Sequence, residues 1–194
     1  MFTEPVLSAH KNVGWIEVIT GCMFSGKTEE LIRRITRAKI AKQQVLIFKP
    51  TLDNRYHSQH IVSHDANAIY SIPVEKAQDI WDKATSEPVD VVGIDEGQFF
   101  DNDIIDVCNE LANSGTRVIV AGLDMDYQGK PFGPMPYLMA VAEFVTKLHA
   151  ICAVSGELAN FSYRKVPSDS QVLLGETDSY EARSRRYFYG LAKE

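Results

Sequence analysis

The sequence predicts an α/β fold, a parallel sheet with helices on both faces, and three observations carry that prediction. Short runs rich in β-branched and apolar residues alternate with amphipathic helical stretches over residues 1–150. A glycine-bounded loop, Gly21-Cys22-Met23-Phe24-Ser25-Gly26-Lys27-Thr28, joins the first such run to the first helical stretch. A later apolar run ends in adjacent carboxylates, Asp95 and Glu96. Strands that alternate with helices are joined by crossovers, which leaves neighbouring strands parallel and lays the helices on the sheet's faces.

The elements follow in chain order. Trp15–Thr20 reads as the first strand. Beyond Thr28, Leu31, Ile35 and Ala38 recur on one helical face, Glu29 and Glu30 occupy the first turn, and Arg33, Arg34, Arg37, Lys39 and Lys42 follow. That order of charge complements a helix dipole. Val45–Lys49 is a second strand. The polar stretch from Pro50 to Ser71, with three histidines, reads as a loop or a mobile hairpin beyond it. A helix is expected over Glu75–Ala84 and a strand over Val89–Asp95. The next helix starts near Asp101, turns Ile104, Cys108 and Leu111 inward, and stops at Gly115, a residue suited to the left-handed position after a helix. Arg117–Leu123 and Glu143–Ile151 are the last strands. Past Ala150 the rhythm ends: Ser155 to Glu181 is polar and broken by Gly156, Pro167 and Gly175, with Gln171–Leu174 as its one strand. A small C-terminal subdomain or flap over residues 151–194 is therefore expected.

Size and charge narrow the function. The 194 residues, 45% hydrophobic, suffice for one well-buried core. A net charge of −6, with no basic cluster beyond Arg183, Arg185 and Arg186, argues against polymeric nucleic acid as partner. No apolar run approaches the ~20 residues of a membrane span and no apolar leader precedes Trp15, so a cytoplasmic protein is expected, with no membrane partner. Three widely spaced cysteines fit a reducing compartment, with Cys108 in the core.

The loop itself is chemistry. Gly21 and Gly26 let backbone N–H groups turn inward around an anion, Lys27 reaches outer phosphates, and the Thr28 hydroxyl ligates magnesium at a helix N-terminus. The fold is thus P-loop NTPase-like and the ligand a nucleoside triphosphate. Asp95, at a strand end, is placed in the magnesium shell, and Glu96 is placed to take a proton from an attacking hydroxyl. Gln98, Phe99, Phe100 and Phe132 follow near this centre, where aromatic faces stack on a base or simply fill core. Arg55 either balances phosphate charge or forms a solvated pair with Asp53. Asp124 and Asp126 receive no role. The carboxylate serves a water nucleophile as well as a sugar hydroxyl, so a nucleotide switch and a DNA-linked ATPase stay open on chemistry. The first lacks an Asn-Lys-x-Asp guanine-reading segment, and the acidic balance weakens the second.

Several segments taken together resemble the cytosolic-type (type II) thymidine kinases of bacteria and animal cytosol, and the chain looks like a bacterial member. They are the phosphate loop with Met-Phe between its glycines, Asp53-x-Arg55-Tyr56, His64-Asp65, Gly93-Ile94-Asp95-Glu96-Gly97-Gln98-Phe99-Phe100, Lys130-Pro131-Phe132-Gly133, and Lys147-Leu148 followed by Cys152. The resemblance spans nearly the whole chain. It implies transfer of the ATP γ-phosphoryl group to the 5′-hydroxyl of thymidine, with deoxyuridine as a possible acceptor and Mg2+ required. It makes Glu96 the base and Asp53 and Arg55 active-site loop residues. The donor then binds Gly21, Met23, Phe24, Ser25, Gly26, Lys27, Thr28 and Asp95, with Thr28 and Asp95 at the metal. Met23, Phe99, Leu123, Phe132 and Ser162 would line the thymine pocket, and Tyr180 would pack over the nucleoside. Gln171, Val172, Leu173 and Leu174 would read the base edge from a lasso, with Gln98 in support behind the site. A homotetramer and feedback inhibition by thymidine triphosphate complete the implication.

One departure stands out. Members of that family usually close the lasso subdomain with a structural zinc held by two Cys/His pairs, a tetrahedral site of four nitrogen or sulfur ligands. Here the pairs read Cys152 with Ser155, and Ser184 with Tyr187. A lone thiol cannot close such a site, so no zinc is expected. Packing among Phe161, Tyr163, Tyr187, Phe188 and Tyr189 is expected to replace it.

Overall fold

The computed structural model describes residues 13–51, 60–62, 68–167 and 178–191. In chain order the first half holds β1 (Trp15–Thr20), α1 (Lys27–Ile40), β2 (Val45–Pro50), β3 (His60–Val62), β4 (Ala68–Tyr70), β5 (Ile72–Val74), α2 (Ala77–Thr85) and β6 (Val91–Ile94). The second half holds α3 (Asp103–Asn113), β7 (Arg117–Gly122), α4 (Met135–Val141), β8 (Phe144–Lys147), β9 (Ala150–Ile151), β10 (Leu158–Ala159), β11 (Phe161–Arg164), β12 (Tyr180–Arg183) and α5 (Arg185–Phe188). Six strands form one sheet in the order β5-β2-β6-β7-β1-β8, and every pairing in it is parallel. None of the described helices is long and apolar enough to cross a membrane.

Alternation of side chains along each strand divides the core in two. Ile19, Ile47, Val91, Ile119 and Ala121 face α1, which returns Leu31, Ile32, Ile35 and Ala38. Ile16, Val18, Phe48, Val92, Ile94, Val118 and Val120 face the other way, under α2, α3 and α4. Helices therefore lie on both faces, as the alternation requires. Each fully buried Leu or Ile contributes roughly 1.5–3 kcal/mol relative to its exposed state, so the central strands are the firmest part of the molecule. Gly115, at φ 98°, takes the left-handed position that ends α3.

A buried network of charged side chains crosses this core between β1, α1 and β7. Glu17, on the α1 side of β1, is fully buried between Arg34 of α1 and Arg117 of β7, each 2.7 Å from a carboxylate oxygen. The indole N–H of Trp15 donates to Glu17 at 2.7 Å, and Arg34 also reaches Glu30 at 2.8 Å and Thr146 Oγ1 at 2.9 Å. The network bolts the helix that follows the phosphate loop to the middle of the sheet.

The structure corrects two sequence expectations and adds two elements. Glu143–Ile151 is not one strand: β8 ends with the ladder bond from Leu148 N–H to Thr20 O, 2.7 Å. Beyond Thr20, β1 turns away into the glycine loop and offers no further partner, so β9 leaves the sheet and pairs antiparallel with β10. Strand β5 was not anticipated; Pro73 cannot complete a ladder, and the strand accordingly lies at the sheet edge. Helix α4 is only two turns long, flanked by Pro134 and carrying Pro136, in a stretch to which the sequence assigns no element. The region after Ala150 is richer than one strand, since β11 and β12 form a hairpin that α5 closes. The paired β3 and β4 agree with a hairpin between Pro50 and Ser71. The expected strand Gln171–Leu174 lies outside the described residues.

Candidate active site

The site is built at the C-terminal ends of β1, β6 and β7. After Thr20 the chain enters the glycine loop with Gly21 at φ 143°; a Cβ there would fall 2.3 Å from Leu148 O, so only glycine lets the loop rest on the end of β8. Phe24 and Gly26 follow in left-handed conformations, φ 65° and 84°, which curl the backbone before α1 starts at Lys27. The curl ends at a helix N-terminus, whose unpaired N–H groups and dipole favour an anion. Lys27 Nζ donates to Cys22 O at 2.9 Å, closing the loop on itself. Ser25 Oγ is buried with no hydrogen-bond partner among the described residues, a polar atom set in the loop and left for a ligand to satisfy.

Strand β6 delivers the two carboxylates. Asp95 is buried, and its Oδ2 accepts from Thr28 Oγ1 at 3.3 Å. Glu96 is held at φ 52°, ψ 42°, a costly conformation for a residue with a side chain, and its N–H donates to Asp95 Oδ1 at 3.0 Å. The turn swings the Glu96 carboxylate out of the core, and it joins Met23, Phe24, Lys27, Thr28 and Leu123 in lining a single cleft.

The remaining expected residues distribute around this cleft. Gln98 is buried and works between two of its walls: its amide donates to Glu96 Oε2 at 2.5 Å, and its carbonyl oxygen accepts from Leu123 N–H at 2.9 Å. Phe99 and Phe132 pack edge to face at 5.8 Å, while Phe100 belongs to the core under α3. Ser162 Oγ accepts from Met23 N–H at 3.0 Å, which ties β11 directly to the phosphate loop. Tyr180 is buried on the same face of the β11–β12 hairpin but is not among the cleft's lining residues. Asp53, Arg55, Tyr56, His64, Asp65 and Gln171 to Leu174 lie outside the described residues.

The unassigned acids find structural work. Asp124 is buried and accepts from Lys147 Nζ at 2.6 Å, across the end of β1. Asp126 Oδ1 accepts from the N–H groups of Gln128 and Lys130, at 2.8 and 3.0 Å, and so shapes the turn that leads to Phe132.

Around Cys152 the two turns expected to lack a full ligand set are drawn together by hydrogen bonds. Ser155 and Ser184 both donate to Glu157 Oε2, at 3.1 and 3.3 Å. Burial raises the Cys152 thiol, yet hydrogen bonds from the Ser155 side chain and from the backbone of Ser184, Val154 and Ser155 outweigh it, and the thiol is lowered to about 7. No group of three or more His, Cys, Asp or Glu that could hold a metal occurs among the described residues. Four of the five expected aromatic side chains pack together: Phe161 stacks on Phe188 at 4.5 Å, Tyr189 meets both edge-on and Tyr163 meets Phe188 edge-on, while Tyr187 packs against the cluster around Cys152. Arg183 stands over Tyr163 and Arg185 over Phe161, so much of the short basic run is spent on this packing.

With this geometry in place, similarity to known proteins is decisive. The family model described as thymidine kinase matches residues 14–188. The chain belongs to the thymidine kinase family. A thymidine kinase of Rhodothermus sp. (strain ITI 518) is 59% identical over 95% of this chain and 86% of its own. One of Bacteroides fragilis (strain YCH46) is 56% identical over 100% and 96%, and one of Bdellovibrio bacteriovorus 53% over 90% and 85%. The thymidine kinase match runs through the glycine loop, both carboxylates and the β11–β12 hairpin alike, so the C-terminal region is as much part of the family as the sheet.

Proposed function

We propose that this chain is a thymidine kinase that moves the γ-phosphoryl group of ATP to the 5′-hydroxyl of thymidine, with Glu96 as general base. The observation that carries the reading is the single cleft in which Glu96 faces Lys27 and Thr28. A triphosphate cradled by the backbone from Gly21 to Gly26 would lie with its outer phosphates at Lys27, next to the one carboxylate turned out of β6. Glu96 would accept the hydroxyl proton as the new P–O bond forms, and Gln98, bonded to its Oε2, restrains the carboxylate's orientation. Leu123, held through the same Gln98, and Met23, held through Ser162, form apolar walls suited to a thymine ring, with Phe99 and Phe132 beyond them.

Magnesium fits the donor set. The Thr28 hydroxyl beside the Asp95 carboxylate offers hard oxygen ligands at the phosphate end of the cleft. Those two residues would hold the ion, directly or through water, and when bound it neutralises charge on the transferring phosphoryl group.

The rest of the reading rests on kinship with the family. Asp53 and Arg55 belong to an active-site loop, Gln171 to Leu174 read the base edge, and Tyr180 packs over the nucleoside. Residues 1–150 form the nucleotide-binding domain and 151–194 a lasso subdomain, free of zinc. The enzyme is cytoplasmic and homotetrameric and is inhibited by thymidine triphosphate, with deoxyuridine a possible acceptor beside thymidine. The test is ADP release from MgATP. It is expected to depend on thymidine and to yield thymidine monophosphate; turnover without nucleoside, or stimulation by single-stranded DNA, would overturn the assignment.

A further inference from the structure

Arg164 has no part in the chemistry above, yet it stands where three pieces of the structure meet. It is buried on β11, two residues beyond Ser162, and in the hairpin register it lies opposite Tyr180 of β12. Ser162, Arg164, Tyr180 and Ala182 share one face of the hairpin, because residues two apart point the same way and directly paired residues point together. That face is turned toward the phosphate loop: Ser162 takes the Met23 N–H, and Ala182 packs in one apolar cluster with Cys22. The Arg164 guanidinium forks onto the Tyr180 hydroxyl, with Nε at 3.1 Å and Nη2 at 2.9 Å. The same guanidinium lies 3.5 Å from the ring centroid of Tyr127, in the loop between Leu123 and Phe132.

A buried arginine costs desolvation, and a planar fork stacked on one ring while bonding a second residue is a geometry that lysine cannot reproduce. We infer that Arg164 is a positioning residue for the nucleoside site, setting Tyr180 against the Tyr127–Phe132 loop so that the hairpin and the loop close on the acceptor as one unit. This rests on the proposal that Tyr180 packs over the nucleoside. It places the effect on the acceptor, because Arg164 meets the Tyr127–Phe132 loop whereas Ser162 and Ala182 are the residues of that face that meet the phosphate loop.

The experiment is steady-state kinetics on the full chain with MgATP and thymidine varied separately, in Arg164→Lys, Tyr180→Phe and the double variant. Arg164→Lys keeps the charge but loses the fork and the stack; since hydrogen bonds to charged groups are the stronger kind, it is expected to raise the thymidine KM by ~10-fold or more while the ATP KM stays within about 2-fold. Tyr180→Phe keeps the ring and removes only the acceptor of the fork, and should move the thymidine KM in the same direction by less. The double variant should be no worse than Arg164→Lys, because both changes break one contact. An unchanged thymidine KM in Arg164→Lys, an equal rise in both KM values, or fully additive single effects would each overturn the inference. Absence of thymidine-dependent turnover in the unmodified chain would instead remove the functional reading beneath it, so the two failures are distinguishable.

Discussion

The sheet and the C-terminal hairpins are held together by different physics, and the difference shows which half of the site is preset. Around β1, β6 and β7 the backbone ends are fixed by two apolar layers and by the buried Glu17–Arg34–Arg117 network. Among the described residues, the region after Ala150 has a small apolar cluster, Ala150, Cys152, Ala159 and Ala182 with Cys22 of the phosphate loop, and otherwise relies on ring stacks, arginines over aromatic faces and hydrogen bonds around Cys152. The phosphate loop and Glu96 therefore sit on a scaffold that exists before any ligand arrives. The hairpins, the proposed acceptor side, lean on contacts worth roughly 0.5–1.5 kcal/mol each.

The largest expected effect tests the preset half. Glu96→Gln keeps the amide-sized side chain and its cleft position but removes the proton acceptor, so kcat should fall by ~10²–10⁴-fold with ATP affinity little changed. Near-normal turnover would take Glu96 out of the base role. In stability the scaffold should respond most to Glu17→Ala, which leaves Arg34 and Arg117 buried without their shared carboxylate. Breaking such a buried network costs about 3–5 kcal/mol, readable by urea or thermal unfolding. A loss under ~1 kcal/mol, the scale of a surface ion pair, would mean that the apolar layers alone hold α1 in place.

The hairpins should behave otherwise. Phe188→Ala removes ring contacts to Phe161, Tyr163 and Tyr189, and is expected to speed amide exchange in β11 and β12 while global unfolding shifts little. A large drop in the global transition would merge the two regions into one cooperative unit. Metal analysis belongs to the same comparison: purified protein should carry no stoichiometric zinc, and a chelator should leave the exchange of β9 to β12 unchanged. Zinc at one equivalent would replace the hydrogen-bonded account of the Cys152 turns.

The same division explains what could be read from the sequence. The sheet strands other than β5 and the first three helices are legible because burial writes itself as period, and the phosphate loop is legible because Gly21, Gly26, Lys27 and Thr28 each do something no other residue type can. Local chemistry puts Gln98 near the centre and the family resemblance sets it behind the site; that one amide would join Glu96 to Leu123 depends on a turn with Glu96 in a left-handed conformation, which no local pattern announces. Arg164 has no role that its sequence neighbours announce. Its signal, the alternation Ser162-x-Arg164 on a short strand, becomes meaningful only once β12 sets Tyr180 opposite. Helix α4 and strand β5 were hidden by their prolines, whose local meaning is a break and whose tertiary place is a helix start and a sheet edge.

The smallest effects, and the sharpest in pH, separate the two regions by their titrations. Glu30, in α1, has its carboxyl lowered from the ordinary 4.5 first by the hydrogen bond from Arg33, against burial, and then by Arg34. A depressed carboxylate adds stability that is complete above its unfolded value and fades as pH falls below it, so this contribution belongs to the acid limb, under about pH 4.5. Cys152 is also depressed, to about 7 from 9.0, so its contribution is absent in acid, grows from pH 7 upward and is complete above 9. Burial raises Cys22 and Cys108, the latter to about 12, so they act with the opposite sign and only above 9. Between pH 7 and 9 the thiol contribution is therefore that of Cys152. Exchange protection of β9 to β12 should rise across that interval and lose the rise in Cys152→Ala, with the sheet unaffected. Glu30→Gln should flatten part of the acid limb of global unfolding and leave the interval from 7 to 9 as it was. A Cys152→Ala variant that keeps the full rise would show that the turns around residues 152 and 184 are not held by the thiolate.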